Sequence, residues 1–235
     1  MASTNDAASH QPQQVSTIVD RLETISRSTG YGVPKVFIDW VDLTVASLEG
    51  NDAEYLSVLN RIISDTCTDD ERREIAIQFA KALTDLIDGT CELQRPILGD
   101  VYEVAGASSD RLGQYFTPWS LCMLMAQLDM GVEPADIETA THNDPLTTHD
   151  PACGSGRLLI AYAKAVHSED PTAPVIVSGV DKSGVCAKMA VINLALAGLS
   201  GFIIHGDSLT LDFYTEWHVD FRGQRSSITR IDDPE

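Results

Sequence analysis

The stretch Asp150-Pro-Ala-Cys-Gly-Ser-Gly156 decides the fold, because it joins an acidic strand end to a glycine-spaced turn and then a helix. Arg157-Leu-Leu-Ile-Ala-Tyr-Ala163 supplies that helix. Glycines at 154 and 156 allow positive φ and a close approach of the backbone to a ligand. The N–H groups at the start of the helix would face such a ligand, and Asp150 would accept hydrogen bonds from a cationic group on it. The combination predicts a nucleotide-like cofactor that also carries a positive charge.

Downstream, Val175-Ile-Val-Ser-Gly-Val-Asp181 reads as a buried strand ending in an acid. Residues 184–197 read as a helix stopped by Gly198, and Gly201-Phe-Ile-Ile-His-Gly-Asp207 as a third strand. Alternation of strand and helix with short loops indicates a parallel sheet, whose ligands sit at the carboxyl ends of the strands. Asp150, Asp181 and Asp207 each fall at such an end and are expected to lie in register. Asp181 follows Gly156 by 25 residues, near the spacing at which dinucleotide folds place their ribose-binding acid. A nicotinamide site fits less well, since Leu159 stands where a third glycine would pack helix against strand. S-adenosylmethionine fits the acids and the loop.

Upstream, the apolar spacing predicts helices. Val15, Ile18, Val19, Leu22 and Ile25 share one face, Pro34 opens a second helix, and Asn51 or Asp52 caps a third. Thr68-Asp-Asp-Glu71 is a capping box for a fourth helix, with Gly89 as its expected stop. Phe37 and Trp40 are assigned to the core. Thr117 and Pro118 are expected as N-cap and first residue of an apolar helix ending near Gly131, followed by a loop over 132–145. The expected organisation is a disordered lead (1–14), a helical N-terminal region (15–96), a cofactor-binding unit (97–220) and a polar C-terminal tail (221–235). Arg222, Arg225 and Arg230 fall in that tail, a small basic group that reads as a solvated, frayed terminus or, alternatively, as a contact to phosphate.

The net charge is −19, from 35 acidic and 16 basic residues, only five of them Lys. That surface resembles adaptation to high salt, where a Debye length of about 3 Å at 1 M screens repulsion of DNA. The charge is therefore read as a habitat signal. No apolar run is long enough to span a membrane, and the N-terminus lacks the regions of a signal peptide, so a cytoplasmic location is expected. Five scattered cysteines (67, 91, 122, 153, 186) give neither a disulfide framework nor a metal site. Cys153 has no visible base beside it, and His205 is read as structural.

Gly113-Gln-Tyr-Phe-Thr-Pro118, Asp150–Gly156, Asp181, Asn193-Leu-Ala-Leu-Ala-Gly198 and Gly206-Asp-Ser-Leu209 occur in this order, with Leu98-Gly-Asp-Val-Tyr102 before them. The ordered set, over roughly residues 97–214, resembles the adenine-specific N6 DNA methyltransferases, especially type I restriction–modification methylation subunits and phage or plasmid DNA methylases. The resemblance implies a Rossmann-like α/β methyltransferase fold, apparently partial, behind an α-helical N-terminal region. It implies S-adenosyl-L-methionine as cofactor and double-stranded DNA as substrate. Phe116, Thr117 and Pro118 would wrap the methionine end. Asp150, Pro151, Ala152, Gly154 and Gly156 would hold the amino acid part, Asp181 the ribose hydroxyls, and Asp207 the adenine. Family members add Asn or Asp, Pro, Pro and an aromatic after a further strand, where the target adenine is held. Here the nearest strings are Asn143-Asp-Pro-Leu146 and Asp232-Asp-Pro-Glu235, so no catalytic residue is assigned. The alternative is an inactive cofactor-binding module, or a subunit completed by a second chain that supplies strands or target recognition.

Overall fold

The computed structural model describes residues 12–63, 67–107, 115–128, 134–223 and 225–234. The chain opens with α1 (Gln13–Thr29), which buries the predicted stripe Val15, Ile18, Val19, Leu22 and Ile25. Of the expected disordered lead, residues 1–11 lie outside the described residues, while Gln13 and Gln14 already belong to α1. Pro34 lies in the first turn of α2 (Val33–Glu49), where its missing N–H costs nothing. Asn51 caps α3 (Asp52–Ile62) by accepting from the Glu54 N–H. Thr68 and Glu71 form the capping box of α4 (Asp69–Leu93). That helix does not stop at Gly89 but closes on Gln94, in the left-handed region at φ 52. Gly89 instead marks a crossing: a Cβ there would come within 2.7 Å of Ile97 and 2.9 Å of Gln14.

Short helices α5 (Leu98–Val104), α6 (Trp119–Leu128) and α7 (Pro134–Thr139) lead to the sheet. The Pro118 carbonyl accepts from the Leu121 and Cys122 N–H groups, so Pro118 rather than Thr117 holds the cap position of α6. α7 occupies part of the expected loop, and the expected stop near Gly131 lies outside the described residues. Then β1 (Leu146–Asp150), α8 (Arg157–Glu169), β2 (Val175–Asp181), α9 (Gly184–Ala197) and β3 (Ser200–Asp207) alternate. β1, β2 and β3 are parallel neighbours. β4 (Asp212–Arg222) and β5 (Arg225–Asp232) add an antiparallel hairpin, giving the order β1-β2-β3-β4-β5.

The segment expected as a polar tail is therefore largely strand. β5 pairs with β4 from Arg222↔Arg225 to Thr215↔Asp232, and Ile228 is buried opposite Val219. Arg222 and Arg230 pair with Asp220 and Asp232, so they are not free cations. An edge strand with a single buried apolar side chain carries little periodic signal, which is why its sequence reads as a terminus. The sheet as a whole buries one face. Val175, Val177, Ile203, Trp217 and Val219 are covered, whereas Thr147, His149 and Phe202 on the other face are exposed.

The helical part and the sheet share one buried cluster running from Val15 to Ile228. Polar ties cross the junction: Lys188 on α9 pairs with Asp42 on α2 at 2.7 Å, and the Trp217 indole donates to Glu49 at 2.8 Å. Removing residues 223–235 is expected to lower stability by about 3 kcal/mol, the order of one large aliphatic side chain leaving the core. A thermal melt of the shortened protein checks this, and an unchanged midpoint would show the segment to be a tail.

Candidate functional site

A cleft of about 480 Å³ opens at the carboxyl ends of β1, β2 and β3. Phe116, Thr117, Asp150, Pro151, Ala152, Gly154, Asp181 and Asp207 all line it. Pro118 and Gly156 are not among its lining residues, and both act one step behind it. Gly113 and Gln114 of the quoted lead-in lie outside the described residues.

The three acids are not level. Asp150 pairs in register with Gly179, two residues before Asp181, and Asp181 pairs with His205, two before Asp207. Each step of two residues advances about 6.6 Å along the strand and keeps the side chain on the same face of the sheet. The carboxylates thus form a staircase that suits an elongated ligand better than the expected single row.

Each carboxylate is partly engaged by the protein. Asp150 Oδ1 accepts from the Ala152 N–H at 2.9 Å. Asp181 accepts from the Gly154 N–H and the Ser183 N–H, both at 2.8 Å, one on each oxygen. This ties the end of β2 to the glycine loop and leaves a second lone pair on each oxygen. Burial nonetheless pushes the Asp181 carboxyl above its usual range, against the pull of those two hydrogen bonds. Asp207 accepts from Lys182 Nζ at 2.7 Å and from the Leu209 N–H at 3.0 Å, and the lysine's ammonium holds its carboxyl below the usual range. The Lys182 side chain is 75% exposed, so a ligand amine can displace it.

Gly156 takes φ 77 and starts α8 without a side-chain cap. A Cβ there would lie 3.2 Å from that of Ala190, so this glycine sets the approach of α8 to α9. Leu159, expected to obstruct packing of helix on strand, is accommodated by Gly179 on β2, where a Cβ would meet Cys153 at 2.8 Å and Leu159 at 3.0 Å. The space comes from the strand instead of the helix. The first intrahelical bond runs from the Ile160 N–H to Gly156 O at 3.1 Å, so the N–H groups of Arg157, Leu158 and Leu159 precede it.

Two residues without an assigned role in the sequence organise the site. Arg157, the first residue of α8, has a side chain only 5% exposed. It donates to Asp100 on α5 and to the Thr117 carbonyl, and it lies 5.7 Å from the Phe116 ring centroid. Phe116 also packs on Tyr102, and its N–H donates to Glu103 at 3.0 Å. Gly99 lets α5 come this close, since a Cβ would sit 2.9 Å from Ser155 Oγ. Asn193, inside apolar α9, donates Nδ2 to the Ser155 carbonyl at 2.8 Å. The available signal was an amide residue within the apolar run Met189–Ala197 of α9.

Other expectations resolve by position. Phe37 and Trp40 are buried in the core. The Cys153 thiol is buried, and burial beside Asp181 and Asp150 pushes it well above its ordinary range, so it is no nucleophile. The His205 ring lies against Gly184 and 5.1 Å from Tyr214, and burial lowers its affinity for a proton. Asn143-Asp-Pro precedes β1 at the end of the sheet away from the cleft. Asp232 lies at the cleft end of β5, two strands beyond Asp207; Glu235 is outside the described residues. Among the described residues no cluster is placed to hold a metal ion, and no helix is long and apolar enough to cross a membrane.

The profile of the family described as N-6 DNA Methylase matches residues 93–222, more than half of the chain. Over 125 residues the chain is 32% identical to the Type I restriction enzyme MjaVIII methylase subunit of Methanocaldococcus jannaschii, covering 50% of this chain and 19% of that protein. The match therefore spans about a fifth of that relative's length. A solved structure from Listeria monocytogenes, assigned as a class I S-adenosylmethionine-dependent methyltransferase, aligns with a TM-score of 0.50 at 14% identity. It covers 84% of this chain and 53% of the other, and at that identity the likeness is one of fold.

Removing the carboxylate of Asp100 leaves a buried guanidinium at the positive end of a helix. Asp100→Ala is expected to cost about 3–5 kcal/mol in denaturant unfolding, whereas the apolar double variant Asp100→Leu/Arg157→Met recovers much of that loss. Equal losses in the two would show that the pair is not what matters.

Proposed function

The chain belongs to the N-6 DNA methylase family, and from that membership we propose that it binds S-adenosylmethionine in the cleft and methylates the N6 amine of adenine in double-stranded DNA, in restriction–modification or phage or plasmid DNA modification. The observation that carries this reading is the staircase of Asp150, Asp181 and Asp207 around the glycine loop. A volume of about 480 Å³ lies within the range of small-molecule sites, about 300–1,000 Å³. Three carboxylates match a ligand with an ammonium, two ribose hydroxyls and an exocyclic amine, so the donor set fits.

When bound, S-adenosylmethionine supplies an electrophilic methyl group on a sulfonium. Asp150 offers the carboxylate oxygen not taken by Ala152 to the ammonium. Asp181 accepts from the ribose hydroxyls with its remaining lone pairs, and Asp207 exchanges Lys182 for the adenine amine. Phe116, held by Arg157 and Tyr102, covers the methionine end and excludes water, while Thr117 and Pro118 complete the wrap. Pro151, Ala152, Gly154 and Gly156 shape the loop beneath. The unit doing this is the expected one from residue 97, extended past 220 by the end of β4 and by β5 to Asp232, and the helical region 15–96 supports it from behind the α8–α9 layer.

A second reading is favoured by one specific observation. Parallel sheets are normally covered on both faces, yet Thr147, His149 and Phe202 are exposed and β1 is the outermost of the described strands. Beside β1 lies a groove of about 440 Å³ lined by Met125, Leu128, Leu158 and Tyr162. In this reading a second chain adds a strand to β1, covers the face and supplies the groups that hold the target adenine.

Incubation with methyl-tritiated cofactor and mixed-sequence DNA, at low and molar salt, separates the readings. Incorporation into adenine that disappears in Asp150→Ala supports the enzyme acting alone. Cofactor binding with incorporation only after a partner chain is added supports the second. Labelling of small metabolites with DNA ignored would overturn both.

The cofactor's affinity is also expected to depend on pH through Asp181. Hydroxyl donors favour the ionised carboxylate, so binding is full above its raised pKa and weakens as pH falls through it. Calorimetric titrations should show the loss beginning above the ordinary carboxylate value of about 3.9. A similar pH profile in Asp181→Asn would contradict the assignment.

A further inference from the structure

Behind the cofactor loop, between the end of α4 and the outer sides of α8 and α9, lies a separate cavity of about 200 Å³. Arg95, Lys164 and His167 line it, a local concentration of basic groups in a chain of net charge −19. Leu196 and Ile160 make up part of its apolar wall. Lys164 Nζ donates to the Gln94 carbonyl at 2.6 Å, and no carboxylate pairs with it among the described residues. Arg95 shares Asp100 with Arg157, so that cluster of two cations and one anion keeps an excess positive charge.

Two lining residues carry buried polar atoms without a hydrogen-bond partner among the described residues, Thr90 Oγ1 and Asn193 Oδ1. Asn193 is 2% exposed, and its orientation follows from Nδ2 donating to a carbonyl, which leaves the oxygen as an orphaned acceptor. An unmet buried acceptor is unfavourable and calls for a donor. The cavity thus presents positive charge, one hydroxyl and one acceptor around a small apolar volume.

We propose that this cavity is a second ligand site, for a small oxyanion that also carries a hydroxyl, and that its occupancy is communicated to the cofactor loop. The anionic oxygens pair with Lys164 and Arg95, and the ligand's hydroxyl donates to Asn193 Oδ1. Two links lead to the cleft, one direct and one through Asp100 and Arg157. Asn193 holds the Ser155 carbonyl of the loop. Arg95 and Arg157 hold separate oxygens of Asp100 and so divide its charge between them, and Arg157 in turn holds the Thr117 carbonyl and Phe116. An anion that draws Arg95 away leaves the whole charge of Asp100 to Arg157 and firms the cover over the cleft. Ligand and cofactor should therefore strengthen each other's binding by the same factor. The coupling rests on the cofactor reading of the cleft, whereas binding of the anion does not.

Calorimetry or phosphorus NMR on the whole chain at low salt, with inorganic phosphate, glycerol 3-phosphate and sulfate as probes, tests both parts. Saturable binding of glycerol 3-phosphate or phosphate, weaker sulfate, and a loss of about tenfold in Lys164→Met are expected. Lys164 is half-buried on α8, and its replacement by an apolar side chain of similar length keeps the fold measurable. With the anion bound, affinity for S-adenosylmethionine should rise about fivefold, the lower end of usual coupling. No saturable phosphate or glycerol 3-phosphate binding, or binding untouched by Lys164→Met, overturns the site. Sulfate bound as tightly as phosphate overturns the role of Asn193. Cofactor affinity unchanged by the anion overturns the coupling, while anion binding without any cofactor binding overturns the reading of the cleft alone.

Discussion

The site depends on one buried cation. Arg157 begins α8, where the helix dipole disfavours positive charge, and its side chain is almost wholly excluded from water. Such a group is tolerated only if it is paired, and its carboxylate comes from Asp100 on α5. That requirement docks α5 beside the glycine loop. It brings Phe116 over Gly154, where a Cβ would come within 3.0 Å of the ring, and it gives the Thr117 carbonyl a donor. The ion pair thus ties α5 to α8 and, through the Thr117 carbonyl and Phe116, positions the cover of the cleft.

On the other side of the loop, Asp181 does the complementary work. Its two backbone hydrogen bonds fix the loop's height relative to β2, so the loop is held from below by a strand end and from above by α5. The stagger of two residues from strand to strand then spaces the acids along a line. A shift of one residue would send a carboxylate to the far face of the sheet. Register and glycine placement together therefore decide what can bind.

Much of this was legible in the sequence. The stripe of α1, the caps of α3 and α4, the strand–helix alternation and the acids at the strand ends all follow from local periodicity and local hydrogen bonding. Gly89 misled because a glycine near a helix end signals a cap, whereas here it marks a tertiary crossing with Gln14 and Ile97. Leu159 rightly counted against a nicotinamide site, but the space it needs comes from Gly179 on β2, which the local sequence around Leu159 does not show. β5 was hidden because an edge strand needs few apolar residues. Arg157 and Asn193 were hidden because their partners, Asp100 and Ser155, are 57 and 38 residues away. Local pattern carries elements, and long-range complementarity carries the site.

In the proposed function the glycine loop, the clamp of Phe116 and the staircase of acids hold one S-adenosylmethionine. Photo-crosslinking of methyl-tritiated cofactor, followed by peptide mapping, tests it most directly. Label in peptides containing Tyr115–Pro118 or Asp150–Arg157, lost on competition with unlabelled cofactor, is the predicted result. Label confined to peptides outside the cleft, or none that competes, would rule out that binding site.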